Sequence, residues 1–544
     1  MAANRNYARV EVGNQTYDEA AVVIIGAGIS GMCTAISLLK NNINNFVIVE
    51  KSGGLGGTWR DNKYPGCCCD IAEKYKLFRH IRFNSSVEEA RWDDATRKWA
   101  TTIHVGSGSK DAEYNNRYTI TSDFLVSAVG QLNYPRYPSI QGIEDFQGKM
   151  MHSARWDWTY KLKGKRIGII GNGATAAQII PEIAKEAAHL TVFQRTPNWV
   201  TPRYDMSVWK PYRTLFKYAP FILWKMRAWM MDFREAFFSI ITDPTNKWSE
   251  YTRQLSIDMM KRQLPNHPEL WDKFVPNYPP GCKRIIITDD YFPTFTRDNV
   301  SLETRPIQHI TKNGIMVDGG TEQEFDLIVL ATGFRTVEFM HPIKLHGAKG
   351  RPLSEVWAEG ARALYGVTVE SMPNFAMLYG PNTNLGHNSI ILMIESQTKY
   401  IQALISAVLK ARQNGDSLAI MPDPKRLDAF NEEIQSVLGK TSFAHPNCQS
   451  WYKLENGKIT NNWSGTVVGY QKLLAKVNWQ DFAMEGYGAQ TLKGKKKKTH
   501  VGRVREESLV TYREMAIAMV GMLGTWGVLA YKAPHLLAKL KIRS

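Results

Sequence analysis

Two glycine-rich turns stand where a short apolar run gives way to helical spacing. Gly26-Ala-Gly28-Ile-Ser-Gly31 follows residues 21–25 (AVVII), and Gly171-Asn-Gly173-Ala-Thr-Ala176 follows residues 166–170 (RIGII). Glycines so spaced permit a tight turn, let a pyrophosphate reach backbone N–H groups, and let the helix pack close to the strand; alanine is tolerated at the third position. Glu50 lies 24 positions beyond Gly26, and Arg195 lies 24 positions beyond Gly171. A carboxylate there accepts hydrogen bonds from ribose hydroxyls, whereas a guanidinium meets a 2′-phosphate. The first unit is therefore expected to bind FAD and the second NADPH, with Thr175 and Thr196 as further contacts of the second site.

The elements that must position these residues are two βαβ units, so the fold class is α/β with two Rossmann-like dinucleotide-binding domains. A third echo links them. Asp123-Phe-Leu-Val-Ser-Ala-Val-Gly130 matches Asp326-Leu-Ile-Val-Leu-Ala-Thr-Gly333 in its Asp, its Ala, its Gly and its apolar stretch, each reading as a buried strand with a glycine turn. The expected order is an FAD domain (residues 1–158), an inserted NADPH domain (159–325, with a helical insertion at 205–280), a return to the FAD domain and substrate region (326–490), and a basic linker with an apolar helix (491–544). The aromatic stretch at 205–243 is expected to pack on the NADPH domain rather than to touch a membrane.

The composition of the 544 residues, 44% apolar and 22% charged, excludes a disordered, collagen-like or polytopic membrane chain. Of the net charge of +17, residues 493–544 carry 12 Lys/Arg against 3 Asp/Glu, so basicity belongs mostly to the tail and no nucleic-acid partner is expected. Six cysteines, three of them consecutive at Cys67, Cys68 and Cys69, suit neither a disulfide framework nor zinc spacing, so no metal and a reducing compartment are expected. The amino terminus lacks a secretory pattern, which points to an intracellular protein. Residues 515–531 hold 17 positions without charge, flanked by Arg513 and Lys532. At about 1.5 Å each they could form a short membrane-spanning helix, so membrane association through the tail is a second expectation for localisation.

Two further patterns carry a family resemblance. Phe146-x-Gly148-xxx-His152-xxx-Trp156-Asp157 and Gly56-Gly57-Thr58-Trp59-xxxx-Tyr64-Pro65-Gly66-xxx-Asp70 resemble the signatures of type I Baeyer-Villiger monooxygenases. The resemblance implies that NADPH reduces FAD, that O2 then forms a C4a-peroxyflavin, and that this anion attacks a small-molecule ketone to yield an ester or lactone. It implies FAD contacts from Thr58, Trp59 and Asp70. In Gly281-Cys-Lys283-Arg284 it implies that Arg284 is the catalytic cation, held by Asp70, and that Lys283 shares the 2′-phosphate with Arg195. It gives His152 and Trp156 a conformational role in the link between domains, and puts residues 380–389 near flavin and substrate. Relatives that oxidise nitrogen or sulfur form the alternative enzyme. A flavin-deficient nucleotide-binding paralogue is the other alternative, because relatives continue through several dozen residues after a stretch like Asp70-Ile71 that this chain joins directly to Ala72.

Overall fold

The computed structural model describes residues 18–58, 75–106, 117–205, 207–495, 498–504 and 520. Trp59, Asp70, the cysteine triplet, the joint at Ala72 and, apart from Val520, the 515–531 run lie outside them.

The first sheet is built on Glu19–Ile25, whose residues beyond Glu19 are all buried, as expected of a central parallel strand covered on both faces. Phe46–Val49 pairs parallel on one side, followed by Ile81–Arg82; Arg117–Ser127 pairs parallel on the other. Arg117–Ser127 then divides its length. Its first half pairs antiparallel with Lys98–Val105 and its last residues pair parallel with Phe375–Met377. Ser85–Asp93 alternates buried and exposed residues, so this outer strand gives one face to the core and one to solvent. Lys344–His346 closes that edge.

The second sheet is wholly parallel, in the order Val300–Glu303, His189–Phe193, Arg166–Ile170, Leu327–Leu330, Lys149–His152. Ile167, Ile169, Leu190, Val192, Leu327 and Val329 form its core with Ala176, Ala177 and Ile180 of helix Ala174–Ile183. This topology corrects two expected boundaries. Lys149–His152, assigned to the first FAD segment, and Leu327–Leu330, assigned to its return, both lie in the second sheet. The reason is burial: all four residues of Leu327–Leu330 are inaccessible, a condition met between Arg166–Ile170 and Lys149–His152. The chain rejoins the first sheet only at Lys344–His346 and Phe375–Met377. The two crossings run side by side, with the Arg136 N–H donating to the Gly333 carbonyl (2.9 Å) and the Arg335 N–H to the Tyr134 carbonyl (3.0 Å).

Residues 205–237 form a compact unit of their own. No residue of helix Lys210–Tyr218 is buried, and Ala228 is the buried residue of helix Pro220–Ala236. Helix Lys247–Gln263, by contrast, places Met259 and Met260 in the second core. A further correction concerns cysteine. Cys282 and Cys448, 166 positions apart, are bonded to one another in a buried cluster with Trp199 and Tyr278.

The third glycine of the first turn is fixed by packing: a Cβ on Gly31 would lie 2.0 Å from the Gly26 carbonyl oxygen, while one on Gly173 meets nothing within 4 Å. Gly31→Ala is predicted to lower unfolding free energy by at least about 1–3 kcal/mol, and Gly173→Ala to stay within about 0.5 kcal/mol of the parent. Denaturant unfolding of both variants checks the pair, and equal losses would contradict the packing argument.

Candidate active site

Both glycine turns begin with a backbone that disfavours a side chain. Gly26 has φ +103° and Gly171 φ +109°, and a Cβ on either would approach a carbonyl oxygen, that of Ala128 at 2.7 Å and that of Ala331 at 2.6 Å. These carbonyls belong to the two echoed Asp…Gly segments, so the echo has a structural meaning. Each segment is the strand that walls one glycine turn. The helices that follow, Ile29–Lys40 and Ala174–Ile183, start at Gly28 and Gly173 without a side-chain cap. Helices Lys247–Gln263, Pro424–Leu438 and Val467–Leu474 are capped by Asn246, Asp423 and Thr466. An uncapped first turn leaves N–H donors and the positive end of the helix dipole for an anion such as a pyrophosphate.

The residues 24 positions beyond the two turns differ in charge and in surroundings. Glu50 is buried beside the first turn, Oε2 accepting the Ala27 N–H (2.7 Å) and Oε1 the Ser52 N–H (2.8 Å). A carboxylate held by two backbone donors still has acceptor capacity for ribose hydroxyls. Gly57, at φ +54°, packs against Gly28, and the Thr58 hydroxyl reaches the Leu132 carbonyl (3.4 Å). The described start of the second signature, Gly56-Gly57-Thr58, thus lies on the first turn.

In the second domain Arg195 and Lys283 converge. The Lys283 Nζ reaches the Thr196 hydroxyl (3.5 Å) and lies 4.9 Å from the centre of the Tyr278 ring. Burial, reinforced by the Arg195 charge, pulls the Lys283 ammonium down to about 8 from its ordinary value near 10.5. Two cations held close together favour a bound anion. Asn172 braces this corner, its Nδ2 donating to Gln194 Oε1 (2.8 Å) and to the Thr196 carbonyl (3.0 Å). Thr175 is half-buried on the first turn of its helix, and Ala176 is buried in the core.

Arg284 is exposed and lies beside the phenols of Tyr379 and Tyr452, which burial pushes up, Tyr452 to about 12. Neither phenol is a carboxylate, and Asp70, its expected partner, is outside the described residues. The segment that carries Lys283 and Arg284 is joined through Cys282 to Cys448, four positions before Tyr452. Sequence reasoning put residues 380–389 near flavin and substrate but missed Gln131, Asn461 and Asn462, which complete a polar wall next to these tyrosines. The Tyr379 hydroxyl donates to Asn384 Oδ1 (2.6 Å), Asn384 faces Asn462, and the Gln131 amide donates to the Tyr379 carbonyl (2.9 Å). Within it Asn461 Oδ1, Asn462 Nδ2 and Gln131 Oε1 are buried without a partner. The runs Pro381-Asn-Thr-Asn384 and Thr460-Asn-Asn-Trp463 were the available signal.

His152 ends the edge strand of the second sheet rather than lying in a free linker. It is buried, its Nδ1 accepts the Ala154 N–H (3.1 Å), its ring faces the Gly333 backbone, and Tyr137 and Phe334 of the two crossings pack against it at 5.5 and 6.0 Å. Burial lowers it to about 4, so it is neutral at physiological pH and acts through packing and hydrogen bonding. Trp156 belongs to the second core. Among the described residues no cluster has the makings of a metal site.

Comparison with known proteins agrees with this geometry. Residues 67–344 match the flavin-binding monooxygenase-like family, and residues 24–77 an NAD(P)-binding Rossmann-like domain. The FAD-binding monooxygenase ktnD of Aspergillus niger is 48% identical, the alignment covering 93% of this chain and 88% of that protein. A Baeyer-Villiger monooxygenase of Streptomyces coelicolor is 33% identical over 86% of this chain and 93% of its own length. The crystal structure of OTEMO in complex with FAD and NADP superposes with a TM-score of 0.73 at 26% identity, covering 86% of this chain and 99% of that one. The chain belongs to the flavin-binding monooxygenase-like family and, within it, to the Baeyer-Villiger monooxygenases.

Proposed function

We propose that this chain is an FAD- and NADPH-dependent monooxygenase that inserts one atom of O2 beside the carbonyl of a small-molecule ketone, giving an ester or lactone, water and NADP+. The observation that carries the reading is the pair of uncapped helix N-termini with opposite charge at their ribose positions, Glu50 at one and Arg195 with Lys283 at the other. FAD, when bound and reduced by NADPH, supplies the activation of O2. The protein's part is binding, orientation and electrostatics. Gly26, Gly28 and Gly31 present backbone donors to the FAD pyrophosphate, Glu50 takes the ribose, and Thr58 holds the Gly56–Gly57 loop on that turn. Gly171, Gly173, Thr175 and Ala176 do the same for NADPH, with Arg195, Thr196 and Lys283 at its 2′-phosphate. Arg284 supplies the cation for negative charge that develops at the attacked carbonyl oxygen. The unpartnered Asn461 Oδ1 and Asn462 Nδ2 offer an acceptor and a donor to a polar heterocycle. A panel of linear, cyclic and aryl ketones, followed by product mass spectrometry and NADPH consumption, tests the reading: esters or lactones are expected, and amine or sulfide oxides with no ester would contradict it.

Two proposals extend this reading. Alignments of 539 and 500 residues occupy 93% and 86% of this chain, so about thirty aligned positions have no counterpart in it, which supports a missing segment that the sequence signature puts after Asp70. Adding a family-like segment there is predicted to raise FAD content per chain and ester formed per NADPH. Stoichiometric FAD and full coupling in the unmodified chain would mean that neighbouring loops already close the site. The other proposal is that the 515–531 run adds a membrane contact of its own through the tail, in which case a tail-substituted chain should still bind lipid vesicles but be released at lower salt than the parent. Among the described residues no helix is long and apolar enough to cross one.

Coenzyme choice tests the cation pair. Arg195→Ala should raise the Michaelis constant for NADPH by roughly 10- to 150-fold, the loss of a charge-assisted contact, with little change for NADH. Because Lys283 titrates at about 8 in the free protein, kcat/KM for NADPH should fall above about pH 8 as the ammonium is lost, and that fall should vanish in Lys283→Met. Equal effects on both coenzymes would place the phosphate elsewhere.

Arg284→Ala separates binding from oxygen transfer. The variant should keep FAD and reduction by NADPH yet make ester roughly 100- to 1000-fold more slowly, as for loss of an oxyanion contact, with hydrogen peroxide released instead. Ester formation near the parent rate would show that the cation lies elsewhere.

A further inference from the structure

The helices at 210–236 carry a surface that the oxygenation chemistry does not use. In Lys210–Tyr218, Tyr212, Leu215 and Phe216 fall on one face, continued backward by Trp209, while Lys210, Arg213 and Lys217 fall on the other. Trp209, Tyr212 and Leu215 are 68%, 53% and 40% exposed. In Pro220–Ala236 the positions Met226, Trp229, Met230 and Phe233 follow i, i+3, i+4, i+7 spacing and are 38–53% exposed. Their rings associate with one another, Trp209 with Tyr212 at 6.2 Å and Trp229 stacked on Phe233 at 5.6 Å, which keeps the apolar stripe continuous. A run of large apolar side chains left in water is costly unless something covers it.

Charge says what that cover is. Residues 205–237 hold six Lys/Arg against three Asp/Glu, and an amphipathic helix with aromatic residues on one face and Lys/Arg on the other is the form that lies in a bilayer interface. Tryptophan and tyrosine favour that boundary because their rings are apolar with one polar group. The strongly basic tail of the same chain adds attraction of the same sign. We propose that helices Lys210–Tyr218 and Pro220–Ala236 form a monotopic membrane-docking surface that inserts Trp209, Tyr212, Trp229 and Phe233 among lipid headgroups and contacts anionic lipid through Lys210, Arg213 and Lys217. This surface is independent of a spanning tail, since it needs only the apolar stripe and the cationic face beside it.

The test uses full-length flavin-loaded protein and sedimentation with vesicles of phosphatidylcholine alone or mixed with phosphatidylserine. The parent should co-sediment with the mixed vesicles and be partly released by salt. Trp229→Ser with Phe233→Ser should weaken binding by about tenfold or more, because two large side chains lose their burial in lipid. Flavin absorbance and turnover of a water-soluble ketone should stay at the parent level, which separates lost docking from lost folding. A second full-length variant, Leu523→Ser with Trp526→Ser and Leu529→Ser, should keep the vesicle binding that the first one loses. The proposal is overturned if the parent ignores anionic vesicles. It is equally overturned if the helix variant binds like the parent while the tail variant does not, or if light scattering shows that the helix variant only converts a dimer to a monomer, making a second copy of the chain the occupant.

Discussion

Everything in the candidate site depends on one constraint, that a nucleotide's phosphates must approach the bare end of a helix. The end is bare because its first position is glycine, Gly28 in the first domain and Gly173 in the second, and the turn before it is tight because a side chain on Gly26 or Gly171 would strike the carbonyl oxygen of Ala128 or Ala331. It stays positive because no side chain caps it. Repeating this device in two sheets, the first mixed and the second wholly parallel, gives two turns of the same kind that differ in charge 24 positions on, Glu50 in one and Arg195 in the other.

The connection between the sheets then decides what the two sites can do together. The chain passes from the first sheet to the second before Lys149 and returns after Leu330, and its two crossings are hydrogen-bonded to each other beside His152. A paired double crossing limits relative movement more than a single linker would. His152, neutral and packed between Tyr137 and Phe334, belongs to that joint rather than to the chemistry. Lys283 and Arg284 are adjacent in sequence but face different partners, Arg195 with Thr196 for the first and Tyr379 with Tyr452 for the second. One short segment therefore touches both the Arg195 corner of the second domain and the tyrosines beside the polar wall of the returning chain.

Local features were legible in the sequence because their physics is local. The two turns, Glu50 and the Arg195 position follow from spacing within a βαβ unit, while the nearness of Lys283 to Arg195, 88 positions away, comes only with the fold. Placement of single strands was not legible. Leu327–Leu330 is an apolar run of four, and such a run announces burial without naming its neighbours, so its membership of the second sheet emerged only from pairing. The Cys282–Cys448 bond joins positions far apart in sequence, where counting cysteines has no purchase. The amphipathic spacing of residues 209–233 was visible, but periodicity gives a face and says nothing of what lies against it. The buried amides of Asn461 and Asn462 were hidden for the opposite reason, since polar residues in loops are commonplace until burial singles them out.

The central claim is that this chain transfers one oxygen atom from O2 to a ketone while oxidising one NADPH. Turnover of a ketone under 18O2 in unlabelled water tests it most directly, with product mass and NADPH loss measured together. The account predicts an ester or lactone heavier by one 18O atom, located in the inserted C–O–C position and not in the carbonyl, with one NADPH consumed per labelled product at full coupling. An unlabelled ester, or NADPH oxidation that yields only labelled hydrogen peroxide from a flavin-replete protein across the ketone panel, would contradict it.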